Sequence, residues 1–70
     1  MVTVDSAAVM RLMCQKQLGT YELARRAGVT AATLRRVLEG ITPTKIMTIF
    51  KISEALGVNH NDLITSRETS

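Results

Sequence analysis

Apolar side chains recur at intervals of three and four residues along most of this chain, a spacing that places them on one face of an α-helix. The clearest example lies between positions 20 and 40, where Gly28 separates two such runs. The first run holds Leu23, Ala24 and Ala27, and the second holds Leu34, Val37 and Leu38. Glycine suits the junction because it adopts a positive φ without a Cβ clash. The pattern therefore predicts two short helices joined by a tight turn, each with an inward face.

A first helix is predicted before this pair. Asp5 or Ser6 can cap it, since either side chain can accept a hydrogen bond from the amides of the first turn. The helix then runs through about Gln17. Its broad apolar face consists of Val9, Met10, Leu12, Met13 and Cys14. We expect Cys14 to serve packing rather than as a redox switch, and Met10 to lie in the core rather than in a dimer patch.

Two more helices are predicted after the pair. Either Thr42 or Thr44 in the segment ITPTK can cap the fourth helix, and the sequence leaves this choice open. The buried stripe of the fourth helix is expected to consist of Ile46, Ile49, Phe50, Ile52, Ser53 and Leu56. A brief fifth helix should follow over residues 60–64. No alternating run is long enough to predict a sheet.

The length of 70 residues allows one domain, which we assign to residues 1–64, followed by a frayed polar tail at 65–70. Cys14 is the single cysteine and His60 the single histidine, so the sequence indicates no disulfide, no zinc site and no cofactor. It shows no secretory signal and no apolar stretch of membrane-spanning length. We therefore expect a soluble cytoplasmic protein with no membrane partner and no small-molecule ligand.

Positive charge is concentrated in one part of the chain. The formal net charge is +3, but positions 25–45 contain five basic residues and one acidic residue, so the remainder is slightly acidic. Two of the basic residues, Arg35 and Arg36, lie on the second helix of the glycine-linked pair. A basic helix within a helix-turn-helix arrangement is typical of DNA-binding proteins.

Seven residues between positions 23 and 37 carry a resemblance to a known family. The residues Leu23, Ala24, Ala27, Gly28, Val29, Leu34 and Val37 have the types and spacing of a helix-turn-helix motif. The chain resembles the phage-repressor and Cro-like (XRE-type) helix-turn-helix family over most of its length. That resemblance implies an all-α fold: a compact, lambda-repressor-like bundle of five helices with its helix-turn-helix at about residues 20–39.

The resemblance also implies positions that contact double-stranded DNA. The third helix, at about residues 30–38, would lie in the major groove. Three of its positions match base-reading residues of the family: Ala31, Ala32 and Arg36. The neighbouring Thr33 is expected to read bases as well. Arg36 is the best candidate for direct readout, because a guanidinium can donate two hydrogen bonds to guanine. Ala31 and Ala32 offer only apolar contact, which leaves more of the recognition to DNA shape.

Another set of positions is expected to contact the sugar-phosphate backbone. Threonine and tyrosine hydroxyls and basic side chains commonly donate hydrogen bonds to phosphate. The residues assigned to this role are Thr20, Tyr21, Arg25, Thr30, Arg35, Thr42, Thr44 and Lys45.

The chain departs from the family at a pair of positions. Many members carry an arginine late in the first helix and a glutamate near the end of the third, and these form an ion pair inside the fold. The matching residues here are Met13 and Leu38, so both charges are absent together. Replacing both members of a buried ion pair with apolar groups can be neutral or stabilising, whereas losing one member is costly. We therefore expect Met13 and Leu38 to contact each other.

These observations favour a sequence-specific DNA-binding transcriptional regulator of bacterial or phage type. If the chain forms a homodimer, its two reading helices should lie one DNA turn apart and recognise a palindromic operator. The alternative is a protein-interaction module of the antitoxin or anti-repressor type that retains the same fold. An enzyme is not indicated, since the sequence shows no paired carboxylates, no nucleophile with a base and no phosphate-binding loop.

Overall fold

Four α-helices and one 3-10 helix form most of the structure, a computed structural model that describes residues 3–40 and 44–66. The α-helices are α1 (Ser6–Lys16), α2 (Thr20–Ala27), α3 (Ala31–Leu38) and α4 (Ile46–Leu56). The 3-10 helix spans His60–Leu63. Two short strands, β1 (Thr3–Val4) and β2 (Ile64–Ser66), pair antiparallel. The chain is thus mostly helical, as the sequence predicts.

One hydrophobic core lies between the helices. Its fully buried side chains come from every helix: Val9, Leu23, Leu34, Ile49, Ile52, Leu56 and Leu63. The helix α4 packs most extensively on α2, and α1 packs on α3 and on the 3-10 helix. Because α3 is held from one side by α2 and from another by α1, its exposed face has a fixed direction.

The residue that caps the amino-terminal end of α1 is hydrogen-bonded to the 3-10 helix. The side chain of Asp5 accepts a hydrogen bond from the amide of Ala8 at 3.1 Å, so Asp5 is the N-cap. The amide of Asp5 donates to the carbonyl of Leu63 at 2.7 Å. Together with the β1–β2 pairing, this bond fastens the beginning of the domain to the 3-10 helix.

The predicted brief fifth helix over residues 60–64 is present only as a short 3-10 helix. Residues 60–63 form a 3-10 helix of four residues, and the chain then becomes extended in β2. Strand β2 includes residues 65 and 66, which the sequence interpretation placed in the tail. Strands of two and three residues are too short to produce an alternating pattern, so the sequence did not reveal them. The described chain is therefore a four-helix domain with a 3-10 turn and a small strand pair.

The start of α4 also differs from the sequence prediction. The N-cap is Lys45, and among the described residues no side chain makes a capping hydrogen bond there. Thr44, one of the two candidates, is only 9% exposed and lies in a β-bridge instead. Thr42, the other candidate, lies outside the described residues. The tertiary position of residue 44 therefore overrides its capping preference.

Phe50 was predicted to belong to the buried stripe of α4, and this was wrong. Its side chain is 39% exposed and meets the ring of His60 edge to face, with centroids 4.6 Å apart. Ser53 is buried as predicted, because its hydroxyl donates to the carbonyl of Phe50 at 2.9 Å. The predictions that Met10 and Cys14 pack in the core were also wrong, since Met10 is 47% exposed and Cys14 is exposed as well.

An open apolar pocket of about 470 Å³ lies between the second half of α1, the α1–α2 connection and the end of α3. Met13 and Leu38 both line it, and the exposed Met10 and Cys14 form part of its rim. Met13 itself is buried and Leu38 packs against the core. The two residues that replace the ion pair of the family therefore border the same space.

Candidate nucleic-acid interface

The turn between α2 and α3 is built around Gly28. Its backbone is left-handed, with φ 76° and ψ 28°, a conformation that costs a residue with a Cβ about 1 kcal/mol or more. The amide of Gly28 donates to the carbonyl of Arg25, and the amide of Val29 donates to the carbonyl of Ala24 at 3.0 Å. These bonds close the end of α2. They direct the chain at once into α3.

The start of α3 is fixed by Thr30. This residue is extended, and its side-chain oxygen accepts a hydrogen bond from the amide of Thr33 at 3.1 Å. Its hydroxyl also lies 2.9 Å from the hydroxyl of Thr33, to which it donates. Both threonine side chains are thus engaged with each other in the free protein. The sequence assigned Thr33 to base reading and Thr30 to the DNA backbone, and either contact would add to or replace this capping interaction.

Replacing Thr30 with alanine should lower the free energy of unfolding by about 1 kcal/mol, because the amide of Thr33 would lose its acceptor. Urea unfolding followed by circular dichroism measures this change. Thr48→Ala is the matched control: Thr48 lies within α4, and no side-chain cap depends on it. An equal loss of stability in the two variants would contradict a capping role for Thr30.

The predicted base-reading residues of α3 differ in their exposure to solvent. Ala32, Arg35 and Arg36 are exposed, and their spacing places them on neighbouring positions of one helical face. Leu34 and Val37 on the opposite face are buried. Neither arginine has an ion-pair partner among the described residues, so both guanidinium groups are available to a ligand.

The other predicted base-reading position is less accessible. Ala31 is half-buried and packs against the core. The structure therefore brings Ala32, Arg35 and Arg36 together as the accessible face of α3, and Ala31 contributes mainly to packing.

The predicted backbone-contacting residues of α2 lie at different points on that helix. Thr20 is its first residue and is half-buried, while Tyr21 is strongly exposed. The N-cap of α2 is Gly19, which has no side chain, and no other side chain within the described ranges caps the amides of the first turn. Such amides are hydrogen-bond donors with a favourable helix dipole for anions. Arg25 lies near the other end of α2, with its side chain exposed.

The remaining backbone candidates come from the segment before α4. Lys45 is exposed, and no ion pair engages it within the described part of the chain. Thr44 is almost fully covered, which leaves little of its surface for a phosphate. Thr42 lies outside the described residues, so its predicted role remains a prediction.

The sequence reasoning missed Glu22, which pairs with two arginines at once. One of its carboxylate oxygens accepts from Nη2 of Arg25 at 2.6 Å, and the other accepts from Nε of Arg26 at 2.9 Å. The spacings of three and four residues on one helix are those at which opposite charges meet. The signal lies in the sequence segment ELARR, in which one glutamate precedes two arginines by three and four residues. The surface of α2 is therefore less positive than the sequence suggested.

These ion pairs lower the pKa of the Glu22 carboxyl, mainly through the hydrogen bond from Arg25 and then through that from Arg26. A carboxyl whose folded-state pKa is depressed stabilises the fold above its unfolded pKa, and this contribution is lost as the pH falls through the folded value.

We expect NMR titration of the Glu22 side-chain carboxyl to show a midpoint below the ordinary range of glutamate. In the variant Arg25→Gln/Arg26→Gln, the midpoint should rise. An unchanged midpoint would show that the arginines do not hold the charge of Glu22 in solution.

Two other features are absent from residues 3–40 and 44–66. No group of three or more histidine, cysteine, aspartate or glutamate side chains there is arranged to hold a metal ion. None of the helices in this part of the chain has the length and apolar character needed to cross a membrane.

Comparison with known proteins supports the helix-turn-helix geometry. A solved structure of a hydroxyethylphosphonate dioxygenase mutant matches 97% of this chain with a TM-score of 0.82 and 20% sequence identity. The match takes in only 15% of that larger chain, so it concerns the fold alone. No curated protein matches the sequence significantly. The family model described as helix-turn-helix (HTH_3) matches residues 10–63, which include α2, the turn at Gly28 and α3. The chain therefore belongs to the XRE-type, Cro-like helix-turn-helix family.

Proposed function

We propose that this protein is a transcriptional regulator that binds double-stranded DNA, with α3 in the major groove. The observation that carries the proposal is the face of α3: Arg35 and Arg36 are exposed and have no ion-pair partner among the described residues, while Leu34 and Val37 anchor the helix in the core. A helix fixed on one side and basic on the other fits the width of the major groove. The family is a DNA-binding one, which supports the same conclusion.

In this proposal Arg35 and Arg36 have different roles. Arg36 donates to a guanine edge and sets a sequence preference, whereas Arg35 contacts a phosphate. Ala32 can contact a thymine methyl group. Around this face, Thr20, Tyr21 and the uncapped amides at the start of α2 hold a phosphate of the DNA backbone, and Lys45 holds another. A bidentate arginine contact would provide about 1–3 kcal/mol of discrimination between bases.

Selection of bound sequences from a pool of random DNA duplexes tests the proposal. The expected result is an enriched site that contains guanine, and enrichment of two inverted half-sites about one helical turn apart would show that two copies bind together. Fluorescence anisotropy on the enriched duplex should then show affinity that falls steeply with salt. No enrichment, together with no binding to any duplex at low salt, would contradict the proposal and favour the protein-interaction alternative.

A further inference from the structure

Glu22 forms a bridge between two basic side chains of α2. Its two oxygens accept separate hydrogen bonds, one from Arg25 at 2.6 Å and one from Arg26 at 2.9 Å. The arginine side chains are 76% and 57% exposed, so both guanidinium groups remain accessible to a ligand from solution. A single carboxylate therefore neutralises part of the charge of two accessible cations.

A carboxylate and a DNA phosphate are recognised by guanidinium groups in the same way. Both accept short, charge-assisted hydrogen bonds from the planar fork of arginine. A phosphate that approaches Arg25 or Arg26 must therefore share that group with Glu22 or displace it. Exposed ion pairs on a helix are weak, so displacement by a well-placed phosphate costs little.

From this geometry we propose that Glu22 is an internal competitor of DNA phosphate, which occupies Arg25 and Arg26 until a correctly placed phosphate takes its position. The inference rests on the proposed function, because it concerns the regulation of the same DNA interface. In this role Glu22 is a positioning residue: it acts through the two arginines and does not itself bind DNA.

The competition affects binding to arbitrary DNA sequence and binding to the preferred sequence differently. Binding to arbitrary sequence depends almost entirely on phosphate contacts. Glu22 therefore weakens it by withholding two of the basic groups. On the preferred sequence, base contacts made by α3 hold the phosphates in register. The free energy of these contacts offsets the cost of displacing Glu22 from the arginines. The carboxylate thus increases the ratio of specific to non-specific affinity.

The test compares Glu22→Gln with Glu54→Gln by fluorescence anisotropy over a range of salt concentrations. Glutamine keeps the shape of glutamate and removes its charge. Glu54 is exposed on α4 and takes part in neither of the ion pairs seen within residues 3–40 and 44–66, so it provides the same change in net charge elsewhere. Thermal melts should first show that both variants remain folded.

Glu22→Gln is expected to bind an arbitrary duplex about three- to fivefold more tightly at about 0.1 M salt, which is what release from two weak, exposed ion pairs can contribute. The slope of log affinity against log salt should steepen, by less than the value of about 0.9 for a complete phosphate contact. The selected duplex should gain less, so the specificity ratio should fall. Glu54→Gln should change each of these quantities little, since salt screens charges that are far from the DNA.

A second comparison separates competition from net charge. In the background of Arg25→Gln/Arg26→Gln, the substitution Glu22→Gln should lose its effect on affinity and salt slope, because the groups for which Glu22 competes are absent. An equal effect in both backgrounds would overturn the proposal, and so would identical behaviour of Glu22→Gln and Glu54→Gln. Failure of every variant to bind DNA would instead overturn the proposed function, on which this inference depends.

Discussion

Replacing Arg35 and Arg36 together with alanine is expected to weaken binding to the selected duplex on the order of 100-fold at about 0.1 M salt. The estimate combines one lost phosphate contact with one lost base contact. Both side chains are exposed on α3 and have no ion-pair partner within the described part of the chain, so their removal should leave the fold intact. Fluorescence anisotropy measures the affinity, and circular dichroism verifies the helical content.

The single substitutions should separate the two roles. Arg36→Ala should reduce the preference for the selected sequence, whereas Arg35→Ala should weaken binding to all sequences about equally and make the salt slope shallower by about 0.9.

The matched control for the double variant is Arg11→Ala/Lys51→Ala, which removes the same two charges from exposed positions on α1 and α4. A similar loss of affinity in the control would show that overall charge, and not the face of α3, determines binding. Affinity that is unaffected by loss of Arg35 and Arg36 would contradict the proposed function.

The helix-turn-helix itself was predictable from the sequence because its signals are local. The repeat of apolar residues defines the inward faces of α2 and α3, and only the left-handed backbone at Gly28 joins them in the observed direction. The N-cap interaction of Thr30 is equally local, since its side-chain oxygen accepts a hydrogen bond from the amide of Thr33, three residues away. Such short-range interactions require no knowledge of the rest of the fold.

The features that the sequence did not reveal depend on distant parts of the chain. Phe50 has the spacing of a buried residue, but its environment is set by the 3-10 helix, which brings His60 against its ring. Thr44 is a good helix cap in isolation, yet its β-bridge holds it in another role. Likewise, β1 and β2 pair across nearly the whole described sequence, and strands this short have no signature of their own.

The sequence indicated which helix forms the candidate site, but it did not show which side chains of the site are exposed and free of other hydrogen bonds. The family resemblance implied that Ala32, Arg35 and Arg36 of α3 face the DNA; all three are exposed in the structure, and their contact with DNA stays a prediction. The sequence did not show that Ala31 packs inward or that Thr33 is engaged by Thr30. The formal charges of Arg25 and Arg26 overstate the accessible charge of α2, because Glu22 pairs with both. Accessible charge, rather than formal charge, is what a phosphate encounters.

The second large effect is expected where Met13 and Leu38 line one apolar pocket. Met13→Arg places an unpaired charge at a buried position, and the penalty for such a charge is about 3–5 kcal/mol. A domain of this size has a total stability of about 3–5 kcal/mol, so this variant should be largely unfolded at room temperature. Leu38→Glu should cost less, because Leu38 is only half-buried.

The double variant Met13→Arg/Leu38→Glu should be more stable than the sum of the single effects predicts, since each charge then has a partner across the pocket. Return of a cooperative thermal transition in the double variant is the expected result, even where Met13→Arg alone shows none. Met10→Arg is the matched control: Met10 lines the same pocket but is exposed, so the introduced charge stays in water and should cost little. If the effects of Met13→Arg and Leu38→Glu are simply additive, the two residues are not energetically coupled, and the idea that they jointly replace a buried ion pair is wrong.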